Sequence, residues 1–508
     1  MAGPSGMVCS GRRCCRLRWL RRLHRRWNQE WAMAVTYEPD LALQVKQACG
    51  ENANLCFQCR KCTAGCPLAE HFDIEPHRLL RQVQLGQKEA VLRSRTIWLC
   101  AACETCTTRC PQGVDLPRIM DALKIMAARE GITPPIRSVP AFYSAALRGI
   151  RLFGRMYEAG TMGELYLRQA LAGELDRQQF LRQDIPLALH LLRTGKFKLL
   201  PPLSHAAKHE KKSVGPERRQ SAAYYPGCSL HGTAVEYDLS TRAVAPRIGL
   251  ELIEPPGWTC CGTTPAHSTD HLLATVMPLR NLALMEAMGQ QLVTVPCPSC
   301  FTRFRTAMRD VTADPGLREQ VAGRIKSMPS PTLTVEHLLT TIIERVGLEA
   351  VSAAVTRPLA GLRLACYYGC VITRPPELTG ATDAEYPMSM DLVLRALGAE
   401  TLDWQGKTDC CGASLSFSQL PIALEMSRKV LDAASEAGAE AIAVACPLCQ
   451  ANLDMRQRQI RERYGRTYEL PILYFTQVMG LAFGLDPEAL GMGKHLVSAA
   501  ALLQEKGI

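Results

Sequence analysis

The sequence predicts an α+β multidomain chain, in which a helical domain is followed by two duplicated α/β domains with parallel sheets. Three observations carry that expectation. A five-cysteine pattern occurs twice in the C-terminal half, as Cys228, Cys260-Cys261-Gly262, Cys297-Pro298-Ser299-Cys300 and as Cys370, Cys410-Cys411-Gly412, Cys446-Pro447-Leu448-Cys449. Two four-cysteine runs stand ahead of it, each ending in Cys-Pro. Between the later cysteines, short apolar stretches alternate with helical patterns, the signature of βαβ units.

At 508 residues and 47% hydrophobic, the chain can bury several cores. Twenty-three cysteines could build a disulfide scaffold, but that belongs to short secreted chains, and no signal peptide with an apolar core is present. Reduced, metal-bound thiols in the cytoplasm are expected instead. The net charge of +11 is unevenly placed. Eight arginines (Arg12, Arg13, Arg16, Arg18, Arg21, Arg22, Arg25, Arg26) against Glu30 give the first 32 residues a net +7 and leave +4 for the rest. Residues 1–36 thus form a basic extension, and translation is expected to begin at Met33. The body gives no reason to expect a nucleic-acid partner. The most apolar late stretch, Leu470 to Leu485, is too short and too broken by Pro471 and its glycines to span a bilayer.

Residues 37–131 hold Cys56, Cys59, Cys62, Cys66-Pro67 and, at the same spacing, Cys100, Cys103, Cys106, Cys110-Pro111. This is the bacterial ferredoxin spacing for two [4Fe-4S] cubanes, in which the fourth cysteine ligates the other cluster. Cys56, Cys59, Cys62 and Cys110 are then expected around one cubane, and Cys100, Cys103, Cys106 and Cys66 around the second. Zinc is the competing reading of C-x-x-C pairs, and two complete runs with terminal Cys-Pro disfavour it. His71, His77 and Glu104 follow no ligand spacing and are read as surface or supporting groups. Pro76 should open a helix that ends by Gly86, and Asp115 should cap another that closes before Gly131. The region is therefore a helical, ferredoxin-like two-cluster domain.

Residues 132–220 read as a helical connector in which no chemistry is visible, ending in an exposed linker from Ser204 to Ser221. Domains follow at 221–350 and 360–508. Ser221 to Tyr225 and Leu362 to Tyr368 are strands leading into Gly227-Cys228 and Gly369-Cys370. Gln291 to Pro296 and Ala439 to Ala445 each deliver a C-P-x-C, with helical patterns before them at Ala266 to Gly289 and Leu420 to Gly438. All these cysteines fall at C-terminal strand ends, where such folds gather their chemistry. Adjacent cysteines diverge and so reach different atoms, Gly262 and Gly412 are expected to let backbone approach a cluster sulfide, and five thiols exceed what a cubane needs.

Those residues carry a resemblance. Cys228 to Cys300 and Cys370 to Cys449 resemble the two CCG domains of the heterodisulfide reductase B subunit; Cys56 to Cys110, with Ile97-Trp98-Leu99-Cys100 and Gly113-Val114-Asp115, resembles its C subunit. The resemblance implies a fused C and B arrangement, with a noncubane [4Fe-4S] cluster on each five-cysteine set and a disulfide cleaved between the two. The implied ligands are Cys228, Cys260, Cys261, Cys297 and Cys300, and Cys370, Cys410, Cys411, Cys446 and Cys449. The cofactors would be two cubane and two noncubane clusters. A flavin-bearing A-type protein is the implied partner, alongside a hydrogenase or dehydrogenase module, because the chain has no G-x-G-x-x-G fingerprint of its own.

A second function is compatible with the same motifs: an iron-sulfur electron carrier of the glycolate, lactate or glycerol-3-phosphate dehydrogenase type, passing electrons to quinone. Five cysteines remain. Cys9, Cys14 and Cys15 lie in the basic extension, Cys49 follows no pattern, and Cys366, expected on the same strand face as Cys370, is read as a buried structural thiol.

Overall fold

The computed structural model describes residues 37–173, 175–198, 200 and 220–508. The basic extension, the start at Met33, Cys9, Cys14, Cys15 and most of the Ser204 to Ser221 linker lie outside them.

The first part is helical. Pro76–Gln84 begins with proline, whose missing N–H costs nothing at that position, and buries Leu79, Leu80 and Val83. Asp115 accepts the Arg118 N–H at 3.0 Å and caps Leu116–Arg129, whose buried face carries Leu116, Ile119, Met120 and Leu123. Asp73 accepts from Ser94 Oγ, Arg95 N and Thr96 N, fixing the short helix Arg95–Leu99 that presents Cys100.

Two α/β units follow, each a four-stranded parallel sheet. In the first, β1 (Gln220–Tyr224), β2 (Leu250–Ile253), β3 (Leu292–Val295) and β4 (Thr334–His337) lie in the order β2-β1-β3-β4. In the second, β5 (Arg363–Tyr367), β6 (Glu400–Thr401), β7 (Ala441–Val444) and β8 (Ile472–Tyr474) lie in the order β6-β5-β7-β8. Identical strand order is the duplication read from the cysteines. The central strands β3 and β7 are buried along their whole length, as continuous apolar runs in parallel sheets require.

The units join through the helices Val235–Val244 and Phe475–Ala482, where Tyr237 stacks on Tyr474 at 4.1 Å and Ser240 meets Thr476 at 2.7 Å. The helical part shares a core with the second unit, where Leu415, Ile422 and Met426 pack with Leu123 and Trp98. Among the described residues no helix is long and apolar enough to cross a membrane.

Candidate active site between two five-cysteine sets

Both four-cysteine runs hold the same unusual backbone. Gln58 and Arg60 in the first, and Ala102 and Glu104 in the second, all have φ between +49° and +65°. Such conformations cost a non-glycine residue about 1–3 kcal/mol and persist where the surroundings fix them. Here they flank the second cysteine of each run, Cys59 and Cys103, and bend the chain on either side of it. Cys62 lies in the field of Cys56 and Cys59, and burial pushes its thiol up to about 11. Cys66 sits with the other run: burial and then Cys103 push its thiol up to about 12, and Cys100 and Cys106 both feel it. Cys110 accepts the Val114 N–H at 3.4 Å. Cys59 is exposed beside exposed Leu55 and Phe57, so the first run meets the surface. Cys103, in contrast, is buried and faces Cys370 and Cys410 of the second unit.

All ten cysteines of the two five-cysteine sets line a single cavity between the units. In the first set the thiols form a contiguous chain, Cys228 on Cys260, Cys260 on Cys261, Cys261 on Cys300 (Sγ to Sγ 3.2 Å) and Cys300 on Cys297. The second repeats it, with Cys370 on Cys410, Cys411 on Cys449 (3.6 Å) and Cys449 on Cys446. The thiol-to-thiol contacts hold Cys261 and Cys411 below the ordinary cysteine value and, with burial, raise Cys260, Cys300 and Cys449. Five adjoining thiols, all but the half-buried Cys228 and Cys370 withdrawn from water, are the donor set of soft iron-sulfur centres. Cys297 and Cys446 cap the helices Pro298–Ala313 and Pro447–Tyr464, whose first amide hydrogens favour negative charge at that spot.

The repeats also share supporting residues. Tyr225 donates to the carbonyl of Thr259 at 2.7 Å and Tyr367 to that of Asp409 at 2.6 Å, each fixing the residue before a Cys-Cys pair. His337 Nε2–H donates to the Pro296 carbonyl at 2.9 Å and also faces the Ala445 carbonyl, so it joins the two C-P-x-C loops from behind. Gly262 and Gly412 have a packing role that the sequence did not show. A Cβ on Gly262 would strike Ala266 and Met277, and one on Gly412 would strike Ala423 and Met426, so helix packing demands those glycines. The glycines that face thiols are Gly227, where a Cβ would stand 3.1 Å from Cys300 Sγ, and Gly369, 2.9 Å from Cys449 Sγ.

Known proteins resemble the regions that carry these cysteines. Residues 55–115 match the 4Fe-4S dicluster domain family, and residues 222–305 and 364–454 match the cysteine-rich domain family. The chain is 30% identical over 283 residues to the 8-methylmenaquinol:fumarate reductase membrane anchor subunit of Wolinella succinogenes, covering 55% of this chain and 98% of that one. It is 27% identical over 279 residues to the B subunit of the ferredoxin/F(420)H(2)-dependent CoB-CoM heterodisulfide reductase of Methanosarcina acetivorans, covering 54% and 92%. Over a separate 98 residues it is 28% identical to the C subunit of the H(2):CoB-CoM heterodisulfide,ferredoxin reductase of Methanothermobacter marburgensis, covering 19% of this chain and 53% of that one. The chain belongs to the heterodisulfide reductase-like iron-sulfur proteins, with C-type and B-type parts fused. In heterodisulfide reductase terms, the ferredoxin-like part of the fused chain spans about half the length of its C-type relatives.

The structure also places residues around the CCG sites that the sequence did not reveal. Arg155, from the connector read as empty of chemistry, is 7% exposed, lies 3.7 Å over the Trp258 ring and faces Cys228. Its partner in role is Arg374, 3% exposed, which faces Cys370 and Cys103 and donates to Thr105 Oγ1 and Thr408 Oγ1, both at 2.8 Å. Each single cysteine therefore has a buried guanidinium beside it. Gly154, also of the connector, accepts the Cys260 N–H at 2.8 Å. Cys366 does not share the face expected for Cys370: β5 ends at Tyr367, and the Cys366 thiol turns to Asp391 and Lys407, away from the cavity. His77 binds Thr63 at 2.8 Å and His71 pairs with Glu425, while Glu104 lines the cavity.

Proposed function

We propose that the chain is a disulfide reductase component in which a disulfide is cleaved in the cavity between the two CCG units. The observation that carries this reading is the convergence of all ten CCG cysteines on one cavity. Cys228, Cys260, Cys261, Cys297 and Cys300 would hold one noncubane cluster and Cys370, Cys410, Cys411, Cys446 and Cys449 the other; Cys56, Cys59, Cys62 and Cys110, and Cys100, Cys103, Cys106 and Cys66, would hold the two cubanes. When bound, the clusters supply electrons one at a time, which suits a two-electron reduction shared between two facing sites. The chain's own groups do the rest. The exposed first run offers an entry for electrons from a flavin-bearing A-type partner, and the nearness of Cys103 to Cys370 and Cys410 leads from the second run to the second CCG unit. Buried Arg155 and Arg374 favour negative charge at the two sites.

A second reading keeps the same cysteines but makes the chain a relay to quinone. Its support is the likeness to the membrane anchor of a quinol:fumarate reductase. The two part in one experiment on chemically reduced, anaerobically prepared protein. A disulfide reductase reoxidises with a disulfide and yields two thiols, and Cys261→Ala and Cys411→Ala each abolish this while the cubanes still accept electrons. Rapid reoxidation by a quinone, with no turnover of any disulfide, would make the chain a relay instead.

A further inference from the structure

The cavity between the CCG units is not symmetric, and its asymmetry has a chemical sense. Six residues beyond the second cysteine of the first Cys-Cys pair stands His267; six beyond that of the second stands Phe417. Both line the cavity. Phe417 stacks on Phe142, with centroids 5.7 Å apart and planes at 29°, and so walls its side of the cavity with apolar surface.

His267 is held differently. Its Nδ1–H donates to Asp121 Oδ2 at 2.5 Å, and Asp121 Oδ1 accepts from Ser268 Oγ at 2.8 Å and Lys124 Nζ at 3.0 Å. Asp121 belongs to Leu116–Arg129, so the ferredoxin-like part orients a histidine of the first CCG unit. The carboxylate fixes which ring nitrogen carries the proton, and Nε2 is left without a hydrogen-bond partner among the described residues, on a side chain 11% exposed. An imidazole with one nitrogen locked on a carboxylate and the other free is built to take up and release a proton.

We propose that His267, oriented by Asp121, is the catalytic residue that protonates the half of the disulfide released at the first CCG site. This rests on the disulfide-reductase reading above. The step is R–S–S–R′ plus two electrons from the iron-sulfur centres, giving RS⁻ and R′S⁻. The imidazolium Nε2–H of His267 passes its proton to RS⁻, forming RSH and neutral His267. The R′S⁻ thiolate, on the Phe417 side, takes its proton from water. His267 recovers a proton from solvent past His271 and Arg309, which line the same cavity and are themselves partly exposed.

Around His267, Asp121 and Lys124 lie on Leu116–Arg129 and Arg303 on Pro298–Ala313. Tyr143 of Ser138–Phe153 faces Asp121 and Lys124, Glu104 faces Asp121 and Arg303, and His271, which opens the helix His271–Glu286, faces Arg303. Burial, then Arg303 and Lys124, favours the neutral ring, while Asp121 favours the charged one. A thiolate formed in the cavity adds a second negative charge beside the ring, and the proton that His267 passes on is taken up at that step.

The test uses binding as well as turnover. Run in reverse, binding of 2-mercaptoethanol as its thiolate by the oxidised holoprotein delivers one proton to His267. The wild-type dissociation constant, read from visible absorption, should change less than about threefold between pH 7 and 8. In His267→Gln the proton must go to bulk water, so the constant should fall about tenfold over that unit. Asp121→Asn keeps the imidazole but frees it, and should move the slope toward that of His267→Gln; it stands as the second measurement if His267→Gln does not fold. Iron content and cubane reduction should match wild type in both. Equal slopes in wild type and either variant would overturn the proposal alone. Wild-type protein that neither binds the thiol nor reduces a disulfide would overturn the functional reading, and this inference with it.

Discussion

Gly369→Ala tests whether Cys449 is a cluster ligand. Gly369 has φ +72°, a conformation that costs an alanine roughly 1–2 kcal/mol. The same cost applies at Gly465, with φ +67°, which closes the helix Pro447–Tyr464 and has nothing within 4 Å of its would-be Cβ. The two substitutions therefore share their backbone strain and differ in one contact. At Gly369 the new methyl stands 2.9 Å from Cys449 Sγ, closer than carbon and sulfur approach, and the sulfur must move. Metal–sulfur bonds of about 2.3 Å tolerate little displacement. Anaerobically prepared wild type should hold about sixteen iron atoms per chain, and Gly369→Ala about twelve, with the cubane signals intact. Gly465→Ala should keep all of them while losing similar thermal stability. Gly227→Ala, at the slightly longer 3.1 Å from Cys300, should show the milder defect at the other site. Full iron in Gly369→Ala, or equal loss in Gly465→Ala, would refute the ligand role argued for Cys449.

Cys66→Ala should damage the cluster of Cys100, Cys103 and Cys106 and spare that of Cys56, Cys59 and Cys62; electron paramagnetic resonance showing loss of the sequence-local cluster would contradict the crossed assignment. His495 is buried between Gln450 and Gln477, and burial lowers it to about 4 from an unfolded value near 6.5. Below pH 6.5 the unfolded chain binds this proton first, so stability present at neutral pH is lost between pH 6.5 and about 4, by up to about 3 kcal/mol. His495→Gln should flatten that slope in urea titrations at successive pH values. Arg374→Met removes charge-assisted hydrogen bonds to Thr105 and Thr408 and should cost about 3 kcal/mol in stability, measured as a lower denaturant midpoint. It should also slow electron passage from the cubanes to the second CCG unit, followed by stopped flow.

What the sequence made legible was whatever carries a period or a spacing. The strands β1, β3, β5 and β7 each end on a glycine-cysteine or cysteine-proline step, and their apolar runs were readable. β6 is only two residues long, and β2 and β4 carry glutamates among their apolar residues, so none offered a comparable signal. A helix was expected after the second C-P-x-C, but the buried face of Pro447–Tyr464 hides for the opposite reason. It buries Gln450, Asn452, Asp454, Gln457 and Gln459, whose partners lie on other segments, among them the Leu470 carbonyl, the Leu496 and Val497 amides and the Gln183 side chain. Apolar periodicity has no view of buried groups satisfied in this way. Gly262 and Gly412 show a different limit, because a glycine in sequence does not say which neighbour it makes room for.

Arg155 was the least legible of the site residues, and it shows how the duplicated units came to differ. Arg374 lies four residues beyond the single cysteine of its own unit, whereas the matching position after Cys228 is Gly232, which has no side chain to offer. The first unit therefore borrows its guanidinium from the connector, and Glu158 of the same connector closes on Gly232 and Thr233 in the space so vacated. The second unit's own arginine instead reaches Thr105 beside Cys106, into the ferredoxin-like part. Duplication preserved the five thiols and the tyrosine behind them, while the supports around each single cysteine were divided between neighbours. One half was thereby committed to meeting the second cysteine run through Arg374. The other was left facing Leu116–Arg129 through Asp121 and His267.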